Sequence, residues 1–220
     1  MFLELDNVLT ATEVAHLTAI SGQLRFVDGK LSNPANISKD NLQADYTDPR
    51  NAEATNILAA ALARSVPFME FAMPRRVAPP QMLRYGPGMK YGAHGDSALM
   101  PVGATPLRSD LSCTIFISDP ASYQGGELVI HLGTRPVAIK GRPGSAVVYP
   151  STQLHEVRPV QAGMRMVAIT FIESLVSDEH CRTQLYEIGE VLALEGLKMS
   201  WLNRVRLELV QQNLKRMWMK

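Results

Sequence analysis

The spacing of hydrophobic residues changes twice along the chain and divides it into three regions. The middle region, residues 81–173, contains short runs of β-branched and other apolar residues between turns that contain Gly or Pro. Several strands at this spacing, with no long helices between them, are typical of an antiparallel sandwich or barrel. The predicted strands cover residues 81–85, 111–118, 127–131, 135–140, 145–149, 155–160 and 165–172.

The first region, residues 1–80, carries signals of helix starts. Thr10 and Glu13 have the spacing of a capping box, which predicts a helix that begins after Thr10. Asp48 followed by Pro49 is typical of an N-cap and the first position of a second helix. We therefore expect residues 1–80 to give helical support to the β-rich core.

The third region, residues 177–220, returns to helical spacing. Leucine stripes run through it, and a break near Gly196 predicts two helices. We predict a mainly β fold with flanking helices: residues 1–176 form the main domain, with its core at about 81–173, and residues 177–220 form a C-terminal helical subdomain. These last helices are expected to pack on the core, or partly against a second subunit, and in the second case they form a homo-oligomer.

Composition and charge exclude several classes of partner. The 220 residues include 22 basic and 21 acidic side chains, a net charge of +1, so we predict no nucleic-acid and no membrane partner. No apolar run approaches the roughly 18 residues of a membrane span, and the glycine motifs of dinucleotide and phosphate-binding loops are absent. Cys113 and Cys181 are predicted to be free thiols, which together with an N-terminus unlike a signal peptide predicts a cytoplasmic protein.

Candidate chemistry begins with His94 and Asp96, which lie two residues apart in the segment RYGPGMKYGAHGD. In extended backbone such residues project to the same side, and an antiparallel neighbour that starts at His155 could add a second imidazole. Two histidines and one carboxylate on one face form the facial triad of non-haem iron(II) oxygenases. A catalytic zinc site would use the same residue types, whereas a closed zinc site is excluded because Cys113 and Cys181 are isolated.

Arg165 is a candidate for binding a ligand next to this metal site. It lies ten residues after His155, and period-two alternation places it on one strand face with Val167, Ile169 and Phe171. If this face lines the barrel, the guanidinium is buried and needs a partner. No acidic residue has an obvious position there, so the far carboxylate of 2-oxoglutarate is a candidate ligand for Arg165.

The same segments resemble a known family, the PKHD-type (prolyl/lysyl hydroxylase-domain) iron(II)/2-oxoglutarate-dependent hydroxylases, in particular the bacterial group called PiuC or YbiX. The likeness extends over nearly the whole chain. It is carried by Asn41–Gln43, Tyr85–Asp96, Gly125–Leu128, Tyr149–Ser151, Leu154–Val157, Gly163–Arg165 and Asn213–Trp218.

This resemblance implies a double-stranded β-helix (jelly roll) core with N-terminal helices and a C-terminal helical extension. It implies that His94, Asp96 and His155 bind Fe(II) and that Arg165 binds the cosubstrate 2-oxoglutarate. By the same likeness, Tyr85 reaches the cosubstrate and Tyr91 lies on the substrate side, although phenylalanine is frequent at the position of Tyr91 in this family. Ascorbate (vitamin C) is a further cofactor that the resemblance implies.

The implied activity is that of a dioxygenase that consumes 2-oxoglutarate and dioxygen and hydroxylates a substrate. We predict no catalytic residue beyond the metal ligands. A peptidyl prolyl or lysyl side chain is one predicted substrate. The alternatives are a free amino acid or other small molecule, or a non-catalytic sensor of iron or 2-oxoglutarate.

Overall fold

The computed structural model describes residues 1–220 and consists mainly of antiparallel strands. The strands are β1 (Leu3–Leu5), β2 (Phe26–Asp28), β3 (Lys39–Asp40), β4 (Leu42–Ala44), β5 (Pro74–Val77), β6 (Gln81–Tyr85), β7 (Lys90–His94), β8 (Leu99–Met100), β9 (Leu107–Arg108), β10 (Leu111–Phe116), β11 (Tyr123–Gly125), β12 (Leu128–Leu132), β13 (Arg135–Ile139), β14 (Ala146–Pro150), β15 (His155–Val157), β16 (Val160–Gly163) and β17 (Arg165–Ser174). The helices are α1 (Ala11–Ser21), α2 (Pro49–Arg64), α3 (Val66–Ala72), α4 (Glu179–Glu195) and α5 (Trp201–Trp218).

Two larger sheets form the core of the molecule. The first has eight strands in the order β1-β14-β10-β17-β6-β4-β2, with β5 paired to the end of β17. The second has five strands in the order β13-β12-β15-β7-β3. Side chains of both sheets meet in one buried cluster, which includes Tyr85 and Val167 from the first sheet and Leu128 and Val157 from the second. The two sheets therefore face each other, and the predicted fold class is confirmed.

The opposite face of the first sheet packs on the N-terminal helices. Leu17 of α1, Leu58 of α2 and Phe68 of α3 are buried in the same cluster as Met166 and Ala168 of β17. Burial of each such side chain stabilises the fold by roughly 1.5–3 kcal/mol. Strand β17 thus alternates as its sequence predicts, with one face against the helices and the other towards the second sheet.

The helix starts agree with their sequence signals. Thr10 and Glu13 form a reciprocal capping box at α1, and Asp48 caps α2 with Pro49 in its first turn. Residues 1–80 also supply five short strands, β1 to β5, that the sequence pattern does not predict. These strands have two to four residues each, too few for a period to be recognised, and they form because they pair with edges of the two sheets.

The C-terminal helices α4 and α5 form a hairpin whose break lies between Glu195 and Trp201. Trp218 of α5 packs against a small cluster that includes Val176 and Leu185. No residue of α5 is fully buried, and several apolar side chains of the hairpin, among them Leu197, are exposed. The division of the chain into a main domain and a C-terminal subdomain stays a prediction. None of the five helices is both long enough and apolar enough to cross a bilayer.

Candidate metal and cosubstrate site

The second sheet brings together the three residues of the predicted triad. His94 ends β7 and His155 begins β15, and the two are direct partners in the strand register. Asp96 follows two residues after His94, with one carboxylate oxygen 3.9 Å from His94 Nε2 and the other 3.7 Å from His155 Nε2. One ligand atom from each residue lies within 4.8 Å of the others, a spacing at which a single metal ion can be bound.

Backbone carbonyls orient both imidazoles. His94 Nδ1 lies 2.8 Å from the carbonyl oxygen of Gly92, and His155 Nδ1 lies 3.0 Å from that of Gln153. In each ring Nδ1–H donates to the carbonyl, which leaves the Nε2 lone pair directed towards Asp96. Such hydrogen bonds fix the tautomer and the ring orientation that a metal ligand needs.

The carboxylate of Asp96 is held by a pair of serines. Ser112 Oγ donates to Asp96 Oδ2 at 2.5 Å and lies 2.7 Å from Ser151 Oγ. Ser112 and Ser151 are both buried, so this network has few other geometries available. No role was predicted for either serine from the sequence, because Ser112 lies within β10 and Ser151 follows β14, and only the folded sheet brings the two together.

The charge state of the cluster also favours metal binding. Burial lowers the pKa of His94 to about 4, with a further contribution from the neighbouring His155. A neutral imidazole is therefore the main form of His94 at neutral pH. Because metal ions bind the deprotonated form of histidine, little proton competition is expected at this ligand.

The Arg165 side chain is buried near the triad, and its guanidinium is only partly hydrogen-bonded. Its side chain is 1 % exposed, and neither Nε nor Nη1 has a hydrogen-bond partner. No carboxylate of the protein lies within 4.0 Å of it. The guanidinium carbon is 4.9 Å from the ring centre of Tyr85, the direct register partner of Arg165 in β6. A buried guanidinium in this state is complementary to a carboxylate from a ligand.

Glycine makes room for the Arg165 side chain. A Cβ atom on Gly126 would lie 3.1 Å from Arg165 Cδ and 2.9 Å from a methyl group of Val160. Gly126 also has a φ of +68°, a backbone conformation that favours glycine. The glycine turn before β12 thus leaves the space that the Arg165 side chain occupies.

Tyr85 lies beside Arg165 and is oriented by Asn41. Asn41 Nδ2 donates to the Tyr85 hydroxyl at 2.8 Å, which leaves the phenolic hydrogen free to donate elsewhere. Burial raises the pKa of Tyr85, so the phenol keeps this proton at neutral pH. Asn41 is itself buried, and its contact with Tyr85 was not predicted from the sequence.

Tyr91 lies on the other side of the triad. Its ring stacks on His94 with a centroid distance of 3.6 Å and an interplanar angle of 15°. Its hydroxyl accepts a hydrogen bond from Asn33 Nδ2 at 3.1 Å. Tyr91 therefore connects the triad to the loop that precedes β3.

A cavity of about 700 Å³ is lined by all six site residues predicted from the sequence: Tyr85, Tyr91, His94, Asp96, His155 and Arg165. Its donor set of two imidazoles and one carboxylate matches the facial triad of iron(II) oxygenases. The unpartnered nitrogens of Arg165 fit the far carboxylate of a dicarboxylic cosubstrate. The remaining histidines lie outside this cluster: His16 pairs with Glu53 at the surface, and His131 and His180 do not line the cavity.

Comparisons with known proteins agree with this geometry. Residues 80–173 match the sequence profile of the 2OG-Fe(II) oxygenase superfamily. A protein of Sphingopyxis alaskensis named PKHD-type hydroxylase is 47% identical over 215 residues, which cover 98% of each chain. A second PKHD-type hydroxylase, from Crocosphaera subtropica, is 40% identical over 87% of this chain and 86% of its own.

Solved structures show the same fold at lower identity. A prolyl hydroxylase of Trichoplax adhaerens, in complex with a hypoxia inducible factor peptide fragment, aligns with a TM-score of 0.60 and 19% identity over 78% of this chain and 82% of its own. HygX from Streptomyces hygroscopicus, with nickel, 2-oxoglutarate and hygromycin B bound, aligns with a TM-score of 0.50 and 16% identity over 80% and 84%.

Proposed function

The chain belongs to the PKHD-type hydroxylases of the 2OG-Fe(II) oxygenase superfamily, and from this premise we propose that His94, Asp96 and His155 bind its Fe(II) and that Arg165 and Tyr85 bind 2-oxoglutarate. The activity of the family is that of a 2-oxoglutarate-dependent dioxygenase, here with an unidentified substrate. One observation supports this residue assignment above all others. A cavity with a three-residue metal cluster also holds a buried arginine that has no protein carboxylate to pair with.

When bound, Fe(II) activates dioxygen and couples the oxidative decarboxylation of 2-oxoglutarate, to succinate and carbon dioxide, to hydroxylation of a C–H bond. The residues of the chain bind and orient the reactants. Arg165 would bind the far carboxylate of the cosubstrate through its guanidinium, whose Nε and Nη1 have no protein partner, and the Tyr85 hydroxyl would donate to the same group. Ser112 holds the Asp96 carboxylate in one orientation.

The spatial order of these groups defines two sides of the cavity. Arg165 and Tyr85 lie on the first sheet and form the cosubstrate side. Tyr91, stacked on His94, faces the loop before β3 and forms the substrate side. Hydrophobic residues, among them Leu128, Val157 and Val167, also line the cavity.

Two classes of substrate are proposed, and the structural neighbours include an example of each. The Trichoplax prolyl hydroxylase has a peptide fragment bound, whereas HygX has hygromycin B bound. A peptidyl prolyl or lysyl side chain is our first proposal, and a free amino acid or other small molecule is the alternative. Succinate release measured with matched peptides and free amino acids separates them.

The experiment that tests the residue assignment is anaerobic addition of Fe(II) and 2-oxoglutarate to the purified protein. We expect a visible charge-transfer band from the chelate, which His155→Ala abolishes and Arg165→Ala weakens. His16→Ala, at a surface histidine outside the cavity, is the matched control and keeps the band. A band of unchanged intensity in His155→Ala would disprove the assignment. Bound iron without any 2-oxoglutarate turnover in air would favour the alternative of a sensor.

Three finer predictions from the sequence remain proposals. Self-association through α4 and α5 is supported by the exposed apolar side chains of the hairpin, which include Leu197 and Trp201. Sedimentation of the wild type and of Leu197→Glu tests it, because a dimer that uses this surface becomes a monomer in the variant.

A cytoplasmic location is supported by the two free thiols, Cys113 and Cys181. An ascorbate requirement is tested by the number of turnovers with and without ascorbate.

A further inference from the structure

Lys39 has an environment that the proposed reaction does not explain. It lies in β3 as the direct register partner of Tyr91, and its side chain lines the cavity. The residue is only 6 % exposed. Lysine is almost never buried to this degree unless its charge is paired.

The protein supplies little to pair with this charge. Lys39 Nζ donates to Ser32 Oγ at 2.6 Å and lies 5.3 Å from the ring centre of Tyr91. No carboxylate lies within 4.0 Å of it, and burial lowers the pKa of Lys39 more than the distant Asp28 and Asp96 raise it. An ammonium group has three N–H donors, so two of them are available to a ligand in the cavity.

The charges that line the cavity lead to the same conclusion. Lys39, Asp96 and Arg165 are its only Lys, Arg, Asp or Glu residues. Once Fe(II) and the 2-oxoglutarate dianion are bound, their charges cancel each other, and those of Asp96 and Arg165 do the same. The ammonium of Lys39 is then the one uncompensated charge in the loaded site.

Lys39 also lies in different surroundings from Arg165. Its contacts are Ser32 and Tyr91, on the side of the cavity bounded by the loop before β3, whereas Arg165 contacts Tyr85 and Gly126. The two cations therefore have different neighbours in the cavity. A ligand of Lys39 would lie beside Tyr91 and His94, on the side proposed above for the substrate.

We propose, on the basis of the function proposed above, that Lys39 binds a carboxylate of the substrate that is hydroxylated. The carboxylate belongs to a free amino acid or to the end or an acidic side chain of a peptide. The ammonium of a lysyl side chain would meet a like charge here, so this inference removes the lysyl side chain from the substrates proposed above. It favours an acidic or zwitterionic molecule whose oxidised carbon lies within reach of Lys39. Tyr91 packs between this anchor and His94.

The test compares carboxylic acids with their amides. The proteinogenic amino acids and their N-acetylated forms, each as free acid and as amide, are titrated by calorimetry into protein loaded anaerobically with Fe(II) and 2-oxoglutarate. We expect at least one acid to bind the wild type roughly 10- to 100-fold more tightly than its amide, the range for a charge-assisted hydrogen bond. Lys39→Met loses this preference, and Lys39→Arg keeps most of it. A preference limited to free amino acids or to acetylated forms identifies the source of the carboxylate.

The controls separate this inference from the proposed function. The charge-transfer band of the loaded site should be equal in the wild type, Lys39→Met and Lys39→Arg. Absence of the band in the wild type would overturn the proposed function and this inference with it. A normal band with no acid preferred over its amide, or with the preference unchanged in Lys39→Met, would overturn the inference alone. Weaker 2-oxoglutarate binding in Lys39→Met would also overturn it, because Lys39 would then belong to the cosubstrate site. If Lys39→Met does not fold, Lys39→Gln replaces it.

Discussion

Replacement of Arg165 by methionine separates two effects of the buried guanidinium: it destabilises the ligand-free fold, and it strengthens the binding of 2-oxoglutarate. In the ligand-free protein, two guanidinium nitrogens have no partner, and each such group costs about 1–3 kcal/mol. The contact of the guanidinium with the Tyr85 ring offsets part of this cost, by about 1–2 kcal/mol. Methionine removes both effects and fills a similar volume. We therefore expect Arg165→Met to stabilise the ligand-free protein, by about 1–4 kcal/mol, the range for an apolar replacement of a buried ionic group.

Binding of 2-oxoglutarate should make the wild type more stable than Arg165→Met. With Mn(II) in place of iron to prevent turnover, 2-oxoglutarate at about 100 times its Kd should raise the free energy of unfolding of the wild type by about 2.7 kcal/mol. Arg165→Met should gain much less at the same concentration, since the carboxylate has lost its partner. Urea denaturation of both proteins with and without 2-oxoglutarate measures all four values.

Arg84→Met provides a matched control. Arg84 lies next to Tyr85 in β6, also has a buried Nε without a partner, and stacks on an aromatic ring, that of Phe26, at 4.2 Å. It does not line the cavity, so its variant should keep the full stabilisation by 2-oxoglutarate. The reasoning is refuted if Arg165→Met destabilises the ligand-free protein by more than about 2 kcal/mol and still responds fully to 2-oxoglutarate.

Three further predictions concern the surroundings of the site. Ser112→Ala frees the Asp96 carboxylate, so metal affinity measured by calorimetry should fall by about 10- to 100-fold; unchanged affinity would show that Ser112 does not orient this ligand. Gly126→Ala should destabilise the protein by about 1–3 kcal/mol in urea denaturation, because its φ is +68° and the new methyl would press on Arg165; an increase in stability would contradict this. The pKa of His94, lowered from 6.5 to about 4, means that the unfolded chain binds the proton first, so the free energy of unfolding of the metal-free protein should fall as the pH drops from 6.5 towards 4. His94→Gln should lack this part of the pH dependence, and an identical profile in both proteins would disprove it.

The core of the site could be predicted because its signals are local. The two-residue spacing of His94 and Asp96 and the alternation that places Arg165 with Val167 both follow from extended backbone. The ten-residue strand β17, which carries Arg165, is long enough for a period to be recognised, whereas β15 has three residues and His155 was identified from its position after a predicted turn. These positions therefore follow from the chain pattern and the family resemblance together.

The supporting residues could not be predicted because their positions depend on tertiary pairing. Lys39 lies in β3 and Asn41 lies between β3 and β4, strands of two and three residues that form because they pair with β7, β6 and β2. The contact of Ser112 with Ser151 joins residues 39 positions apart in the chain. No period or motif marks such contacts in one sequence.

The most direct test of the central claim is X-ray diffraction from crystals grown with Mn(II) and 2-oxoglutarate, with anomalous scattering to locate the metal. We expect one anomalous peak within coordination distance of His94 Nε2, the Asp96 carboxylate and His155 Nε2, and the far carboxylate of 2-oxoglutarate paired with Arg165. An anomalous peak elsewhere in the molecule, or a cosubstrate whose far carboxylate does not contact Arg165, would contradict the account.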